Sequence, residues 1–530
     1  MLWIYLAIIA IALLYYFTVK PLKYWTKLGV KQGNPIPLFG DSWGMLWKKQ
    51  SMADYVQYIY DQVPNVRYSG CYQFSLPNLL VKDPELIKQI TVKDFDHFVD
   101  HRVLIPEEVD PLLGKNLFSL TGQRWRDMRA TLSPSFTSSK MKFMFSLMAD
   151  AAHDFVQHFK NKNEKIVTVE MKDTFTRYTN DVIATTAFGI KVDSLENRDN
   201  EFYLMGKEAT DFSGVIKNLK FFGYMIVPWL FKIFSVSLFG KELSRFFRGL
   251  ITDTIRTREE KHIVRNDMIN LLMEARKGSI NKQDDETTSV DTGFATVEES
   301  EVGKAKVQKH LTDEDITAQA LIFFFAGFDT VASIMCFMAY ELGVSQEIQD
   351  RLREEIEHTM KENKGKLTYE SLLKMKYMDM VVTETLRKWP VAIGSDRICT
   401  KPYTIEPKTP EEKPVLLEKN TVISLPIFAI HRDPKFYPEP EKFDPERFSD
   451  KNKDKIVPYT YLPFGAGPRN CIGSRFAILE IKVLFYHILS NFKIVPVEKT
   501  TIPLKLSKKT FNLMSDGGFW FGLERLERGR

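Results

Sequence analysis

The sequence contains little cysteine. Only four of its 530 residues are cysteines, and none are spaced as C-x-x-C: Cys71, Cys336, Cys399 and Cys471. The absence of that spacing excludes the common zinc ligand patterns, and the low number argues against a disulfide-stabilised secreted fold. We therefore expect a reducing compartment and a fold held together by its core.

The chain also has only a small excess of one sign of charge. Lys and Arg total 73 and Asp and Glu total 68, which leaves a net charge of +5. So mild an excess does not predict a surface that binds nucleic acid, and nucleic acid is excluded as a partner. Length alone would suggest three or four domains, but no linker divides the chain, and we expect one catalytic domain over residues 38–530.

One stretch lacks charge altogether. Residues Leu2–Val19 are uncharged and just long enough to cross a bilayer. A cleavable signal peptide would need a basic start and a small-x-small cleavage site, and neither is present. Four lysines follow the stretch: Lys20, Lys23, Lys27 and Lys31. The positive-inside rule then predicts a single-pass anchor over residues 1–20, a basic, proline-containing hinge over residues 21–37, and a cytosolic catalytic domain.

The segment Phe464–Gly473 has the pattern F-x-x-G-x-R-x-C-x-G. Its fixed positions are Phe464, Gly467, Arg469, Cys471 and Gly473. The glycines allow tight turns and close approach to a flat ligand, and Arg469 supplies a permanent cation for a carboxylate. Cys471 precedes an apolar run, Phe476–Leu489, that we expect to be helical, and a helix N-terminus stabilises a thiolate.

A lone cysteine in a loop is most often a small buried residue, but five matching positions favour an axial haem ligand. The segment resembles the haem-binding motif of the cytochrome P-450 family, the haem-thiolate monooxygenases. The resemblance implies an α+β, mainly helical fold with a long central oxygen-binding helix and a small β lobe. It also implies haem b as cofactor, with Cys471 as the iron ligand.

A second motif lies in the middle of a long predicted helix. Thr312 and Asp315 form a capping pair, and no proline follows until Pro390, so we expect a helix that ends near Gly343. Its middle reads Ala326-Gly327-Phe-Asp329-Thr330 and resembles the oxygen-activation motif of the family. The resemblance gives Ala326 and Gly327 a place beside the cofactor and makes Thr330 and Asp329 catalytic, through hydrogen bonding and proton relay.

The residues themselves leave a second interpretation of this motif. Thr330 can bond the carbonyl four residues earlier and merely bend the helix. Relatives often carry a second hydroxyl residue after the threonine, and this chain has Val331 there.

Four further residues are candidate contacts for the haem propionates. Trp125 and Arg129 share one helix face, which is either an exposed basic face or the W-x-x-x-R pair of the family. Arg397 resembles a second propionate partner. Two interpretations of His431 stand side by side, a propionate contact and a loop histidine with structural hydrogen bonds only.

The remaining motifs concern the framework and the pocket. Glu384 and Arg387 form an E-x-x-R pair, and the resemblance adds Arg447, from P-E-R-F, to a buried structural network. Strands are expected over residues 66–74, 78–81 and 391–399. The resemblance implies that the substrate pocket is lined by Phe323, Val391, Ala392, Ile393, Gly394 and Phe511.

Two other segments stand out by composition. Residues 279–310 are polar and acidic, and we expect a mobile surface loop there. Residues 221–234 are aromatic with lysines at the margins, which fits either a buried core helix or a surface resting in the bilayer interface.

The motifs together look most similar to insect microsomal members, in particular the detoxification families six and nine. That resemblance implies NADPH- and O2-dependent oxidation of lipophilic small molecules, xenobiotics first and endogenous lipids or hormones as the alternative. Electrons would come from NADPH–cytochrome P-450 reductase, with cytochrome b5 as a further candidate partner, at the endoplasmic reticulum membrane. A haem-thiolate isomerase or dehydratase and a non-enzymatic haem protein rank lower because Thr330 is intact.

Overall fold

The computed structural model describes residues 2–103, 105–211, 214–265, 267–277, 293–304 and 311–527. Most of these residues are helical, and the strands form small sheets at the margins of the helical body. The mainly helical α+β class expected from the sequence is confirmed.

The α-helices run along the whole chain. They are α1 (Leu2–Leu14), α2 (Tyr24–Lys27), α3 (Trp43–Leu46), α4 (Met52–Asp61), α5 (Pro84–Lys88), α6 (Pro111–Gly114), α7 (Gly122–Leu132), α8 (Ser138–Lys160), α9 (Met171–Ile183), α10 (Glu201–Thr210), α11 (Val215–Ile226), α12 (Pro228–Ile233), α13 (Lys241–Glu260), α14 (Met268–Arg276), α15 (Glu301–Lys304), α16 (Asp313–Phe328), α17 (Thr330–Val344), α18 (Gln346–Glu362), α19 (Tyr369–Leu373), α20 (Lys376–Lys388), α21 (Ile427–Ile430) and α22 (Ser474–Leu489).

The strands are short. They are β1 (Tyr68–Gln73), β2 (Leu76–Val81), β3 (Ile166–Glu170), β4 (Ser395–Ile398), β5 (Tyr403–Ile405), β6 (Val415–Leu417), β7 (Val422–Leu425), β8 (Phe492–Val495) and β9 (Trp520–Arg525). One sheet has the order β1-β2-β7-β4, a second has β3-β9-β8, and β5 pairs with β6.

The sheet β1-β2-β7-β4 fixes one wall of the cavity described below. Its β2–β7 pair is parallel and its other pairs are antiparallel, with Arg397 opposite Ile423. The strands expected over residues 66–74 and 78–81 are present. The strand expected over residues 391–399 is too long: β4 covers Ser395–Ile398 only, and before it the Ile393 carbonyl accepts a hydrogen bond from the Phe428 N–H at 2.8 Å instead of from a neighbouring strand.

The long helix expected from the sequence crosses the core, but in two parts. Its capping pair is present, since the Asp315 N–H donates to Thr312 Oγ1 at 3.1 Å and the Thr312 N–H donates to the Asp315 carboxylate at 3.0 Å. The helix is interrupted at Asp329, between α16 and α17. Residues 331–343 of α17 are all buried, as expected for a helix that is apolar on every side.

Two helical stretches are apolar and long enough to cross a membrane. The one formed by α16 and α17 is mostly buried inside the protein, so it is the core helix. The other, Leu2–Val19, is almost entirely exposed and is a candidate anchor. The chain after it is tied to the sheet lobe, because Trp25 is fully buried there and its backbone N–H donates to Tyr72 Oη at 3.2 Å.

Two segments were singled out by their composition. Of the polar stretch 279–310, residues 278–292 and 305–310 lie outside the described residues. Residues 293–304 are not a detached loop, because Ala295 is buried and α15 packs against α7. In the aromatic stretch, the side chains of Phe221 and Phe222 lie outside the described residues.

Further along the aromatic stretch, Trp229 is 63% exposed and Phe234 is 70% exposed. The interpretation of this part as a buried core helix is therefore wrong for these two residues. Between them, Phe231 packs on Tyr224, with the ring centroids 5.2 Å apart.

Candidate active site

One cavity of about 470 Å³ lies between the central helix and the cysteine loop. Cys471, Ile472 and Gly473 form one side of it, and Ala326, Gly327 and Thr330 form the opposite side. The predicted site residues that line the cavity are Phe323, Ala326, Gly327, Thr330, Trp125, Arg129, Val391, Ala392, Gly394, Phe464, Arg469, Cys471 and Gly473. The fold thus assembles segments that are far apart in the sequence.

The cysteine loop is held by its own backbone. The Cys471 N–H donates to the Phe464 carbonyl at 2.9 Å, and Gly473 precedes the first residue of α22, Ser474. Gly467 has φ +70, and a Cβ there would lie 1.8 Å from the Thr91 carbonyl oxygen. Gly467 does not line the cavity, so the chain needs glycine there to pack against Thr91 rather than to approach a flat ligand.

The thiol of Cys471 faces the cavity, whereas the other three cysteines are buried. Burial raises the pKa of the Cys471 thiol, and the Gly473 N–H and the Arg129 guanidinium offset that rise only in part. A bound metal ion deprotonates a coordinating thiol outright and so opposes this rise.

Buried cations collect at one edge of the cavity. Arg469 donates to the carbonyls of Leu120 at 2.6 Å and Val99 at 2.8 Å, and its guanidinium lies 4.0 Å from the ring centroid of Trp125. Arg397 is also fully buried behind this wall, and its Nε has no hydrogen-bond partner among the described residues. Burial lowers the pKa of Arg397 to about 10 and that of Arg469 to about 9.

His101 belongs to the same edge and was not predicted. Its Nδ1 lies 3.0 Å from the Asp396 carboxylate, and its ring stacks on Phe118 with centroids 4.7 Å apart. Both His101 and Phe118 line the cavity. No local pattern around residue 101 marks this role, because the partner carboxylate comes from β4, 295 positions away.

Arg129 and His431 have partners within the protein. Arg129 donates to the carbonyl and to the side-chain oxygen of Asn470, both at 2.7 Å, and to the Glu299 carboxylate at 2.8 and 3.1 Å. His431 is fully buried, accepts from the Leu462 N–H at 2.8 Å and lies 3.0 Å from the Arg387 carbonyl. Burial lowers the pKa of His431 to about 3, and the structural interpretation of this histidine holds.

The central helix presents Thr330 to the cavity. Its hydroxyl donates to the Ala326 carbonyl, as the bending interpretation requires, and it is also exposed to the cavity space. The two interpretations of this threonine are therefore compatible.

Asp329 lies behind Thr330 and does not line the cavity. Its carboxylate is 2.8 Å from Lys172 Nζ and accepts a hydrogen bond from Asn512 at 3.0 Å. Lys172 also donates to the Asp329 carbonyl at 3.1 Å and to Ser333 at 2.8 Å. Lys172 was not predicted, since nothing near it in the sequence indicates a partner on another helix.

The predicted structural network is assembled. Arg387 donates to the two Glu384 oxygens at 2.7 and 2.8 Å, and both side chains are fully buried. Arg447 Nε lies 3.5 Å from the same carboxylate. The remaining Arg387 donors reach the carbonyls of His431 at 2.9 Å and Pro440 at 2.8 Å.

The pocket prediction needs correction at two positions. Ile393 is buried in the main core. Phe511 is partly buried and packs against this core, and neither residue lines the cavity. The sequence also missed Phe136, which stacks on Phe323 with centroids 5.6 Å apart and does line it. These walls are apolar and aromatic.

The cavity fits a haem. The cavity between Cys471 and the central helix is lined mainly by apolar side chains, and of the buried guanidinium groups at its edge Arg397 keeps a nitrogen without a partner among the described residues. Haem carries two carboxylates beside an apolar plane, and its iron accepts a cysteine thiolate. Fold and site together define a haem-thiolate protein.

Comparison with known proteins agrees with this class. The sequence model described as Cytochrome P450 matches residues 31–520. Cytochrome P450 9e2 of Blattella germanica is 46% identical over 516 residues, which cover 94% of this chain and 93% of the relative. Probable cytochrome P450 9f2 of Drosophila melanogaster is 43% identical over 535 residues, covering 99% of each chain. Cytochrome P450 6k1 of Blattella germanica is 37% identical over 517 residues, covering 97% of this chain and 95% of the relative.

The chain belongs to the cytochrome P450 family. Its members are haem-thiolate monooxygenases that receive NADPH-derived electrons through a reductase. The expectations for the family, the enzyme class and the haem cofactor are confirmed.

Replacing Cys471 tests its assignment as the iron ligand. Reduced Cys471→Ser protein should lose the red-shifted carbon monoxide Soret band that a thiolate ligand gives. Cys336→Ser is the matched control, because Cys336 is buried in α17 away from the cavity, and it should keep the band. A normal thiolate spectrum in Cys471→Ser would disprove the assignment.

Removing Arg387 tests the buried network. Arg387→Met leaves Glu384 buried without its partner, which costs on the order of 3–5 kcal/mol. We expect haem loss at a clearly lower urea concentration, followed by Soret absorbance. Arg256→Met removes an exposed i,i+3 pair with Asp253 and should change the midpoint little. Equal midpoints for the two variants would contradict a supporting role for the network.

Proposed function

We propose that this monooxygenase oxidises lipophilic small molecules and that xenobiotics such as insecticides and plant toxins are its main substrates. The observation that carries the proposal is the apolar and aromatic composition of the cavity wall. Phe118, Phe136, Phe323, Met144 and Ile334 line it, and such a wall binds apolar ligands by burial rather than by ion pairing.

The overall reaction consumes O2, NADPH and a proton, inserts one oxygen atom into a substrate bond, and releases water and NADP⁺. When bound, the haem supplies the oxygen-activating chemistry, and the Cys471 thiolate favours O–O cleavage. The protein must bind the substrate next to the iron, exclude bulk water and deliver protons.

We assign the handling of those protons to Thr330 and Asp329. The Thr330 hydroxyl faces the cavity, and the Asp329 carboxylate behind it is held by Lys172 and by Asn512, whose side chain is exposed. We assign Thr330 as the hydrogen-bonding group at the reacting oxygen and Asp329 as the link between that group and solvent. Lys172 is a positioning residue in this scheme.

Oxidation of endogenous lipids or hormones is the second candidate, because the same apolar wall accepts them. Turnover of the whole protein with reductase and NADPH, screened over both substrate classes, decides between them. Product from endogenous lipids alone would overturn the xenobiotic assignment.

Location and partners follow from the same scheme. We propose that Leu2–Val19 anchors the protein in the endoplasmic reticulum membrane with the catalytic domain in the cytosol. NADPH–cytochrome P-450 reductase is the proposed electron donor, and cytochrome b5 is a second candidate.

A second membrane contact is proposed at α11 and α12. Ile216, Leu219, Trp229, Ile233 and Phe234 are all more than 60% exposed. Lys217, Lys220 and Lys232 lie among them in the sequence. Exposed aromatic and aliphatic side chains with lysines at the margin are typical of a surface in the bilayer interface.

Thr330→Ala tests the proton assignment. The variant should bind haem and oxidise NADPH, while product formed per NADPH falls by about tenfold and hydrogen peroxide rises accordingly. Thr317→Ala is the matched control, because its hydroxyl makes the same i−4 bond, to Asp313 at 2.7 Å, but does not line the cavity. Unchanged coupling in Thr330→Ala would remove Thr330 from the mechanism.

Liposome binding tests the second membrane contact. A form without residues 2–19 should bind liposomes, and Trp229→Ser, Ile233→Ser and Phe234→Ser together should weaken binding at least about tenfold, since burying one such side chain is worth about 1.5–3 kcal/mol. Val264→Ser, at a residue 78% exposed outside these helices, is the control. Undiminished binding by a folded triple variant would place the contact elsewhere.

A further inference from the structure

His101 lies at the edge of the cavity where the buried arginines collect, and its ring is held by the sheet lobe. The segment that carries it pairs with β4, where the Ile398 N–H donates to the Asp100 carbonyl at 2.8 Å. Asp396 of β4 uses both carboxylate oxygens on this segment. Its Oδ1 lies 3.0 Å from His101 Nδ1, and its Oδ2 accepts from the Arg102 N–H at 2.6 Å. One imidazole nitrogen is therefore committed to a fixed carboxylate.

The other nitrogen of His101 has no such partner. No hydrogen bond to Nε2 is found among the described residues, although the side chain is only 9% exposed. The ring lines the cavity and stacks on Phe118, with 17° between the two planes. Buried polar atoms in proteins are nearly always hydrogen-bonded, so an unpartnered imidazole nitrogen in the wall of a ligand cavity indicates a contact for the ligand.

The charged groups around the ring determine its proton affinity. Burial lowers the pKa of His101, the hydrogen bond with Asp396 opposes this, and the charges of Arg397 and Arg469 lower the pKa further. Burial raises the pKa of Asp396, but the hydrogen bonds from His101 and from the Arg102 N–H outweigh it, so the net shift is downward and Asp396 is an anion. The protein's own groups thus favour a neutral imidazole, with its proton on Nδ1 and a bare Nε2 that can only accept.

A carboxylate beside Nε2 changes this balance. The two neighbouring cations are only partly satisfied by the protein, since Arg469 lies 3.4 Å from the Asp100 carboxylate and Arg397 keeps its Nε without a partner among the described residues. A neutral imidazole cannot donate from both nitrogens, so a carboxylate binds at Nε2 only when the ring takes up a second proton. The added negative charge raises the pKa of the imidazole, and Asp396 stabilises the imidazolium from the other side.

We propose that His101 binds one of the haem carboxylates through its Nε2–H, as an imidazolium held between that carboxylate and Asp396. It is a positioning residue for the cofactor, and it differs from the arginines at the same edge because its charge titrates near neutral pH. A pKa that bound haem raises stabilises the complex at low pH, and this contribution is lost as the pH rises through the raised pKa. The arginines give no such loss near neutral pH, because the pKa of Arg397 is about 10 and that of Arg469 about 9.

The test measures haem transfer from the ferric holoenzyme to excess apomyoglobin between about pH 6 and pH 8. The wild type should lose haem faster as the pH rises. His101→Gln keeps a donor without the charge, and at the low end of the range it should lose haem about tenfold faster than the wild type, as expected for one lost charge-assisted hydrogen bond. Its rate should then change little with pH. His101→Arg restores a permanent cation and should retain haem throughout the range.

The matched control is His358→Gln. It removes an exposed imidazole that pairs with Glu362 at 3.5 Å on α18, and its haem transfer should follow the wild-type profile. Asp396→Asn tests the second half of the proposal. It removes the anion behind the ring, so the midpoint of the pH profile should move to lower pH. An unchanged midpoint would show that Asp396 does not stabilise the imidazolium.

The reduction potential gives a second measurement, which loss of packing alone would not make pH-dependent. A cation beside the haem favours the reduced iron. The potential of the wild type should therefore fall as the pH rises, whereas in His101→Gln it should be low and in His101→Arg high, with little dependence on pH in either variant.

Two outcomes would overturn the proposal. Parallel pH profiles in the wild type and His101→Gln would mean that the titrating group lies elsewhere. Haem loss from His101→Arg as fast as from His101→Gln would mean that the ring serves only to pack on Phe118. If His101→Gln does not take up haem, the wild type and His101→Arg decide: a flat profile in His101→Arg alone supports the proposal, and equal slopes contradict it.

Discussion

The structure depends on the buried pair of Glu384 and Arg387. Both side chains are removed from water, which costs several kcal/mol per ion unless every hydrogen-bonding group finds a partner. Arg387 meets this requirement by donating to the carbonyls of His431 and Pro440. The pair therefore fixes two stretches of irregular chain against α20.

His431 connects this buried pair to the loop of the iron ligand. Its second nitrogen accepts from the Leu462 N–H, two residues before Phe464, whose carbonyl accepts from the Cys471 N–H. A buried ion pair thus sets the position of a cysteine more than eighty residues away, through one histidine that burial keeps neutral. This chain of contacts explains why the E-x-x-R pair matters although it does not touch the cavity.

The sequence predicts those parts of the site that depend on contiguous residues. The cysteine loop, the central helix with Thr330, and the face of Trp125 and Arg129 follow from local patterns. His101, Lys172 and Glu299 do not, because their partners Asp396, Asp329 and Arg129 are more than 150 positions away. The interruption at Asp329 was missed for the same reason: Lys172, from α9, binds the carbonyl of Asp329 at the break.

The burial of Trp25 has a consequence for how substrates arrive. Only six positions separate Val19 from Trp25, and much of this stretch is helical, so it spans about 9 Å. So short a connection leaves the catalytic domain little freedom to reorient relative to the helix Leu2–Val19. With Leu2–Val19 in a bilayer, as proposed, the catalytic domain would stay close to the lipid, and the enzyme would meet each compound at a concentration set by its oil–water partition coefficient rather than by its aqueous concentration.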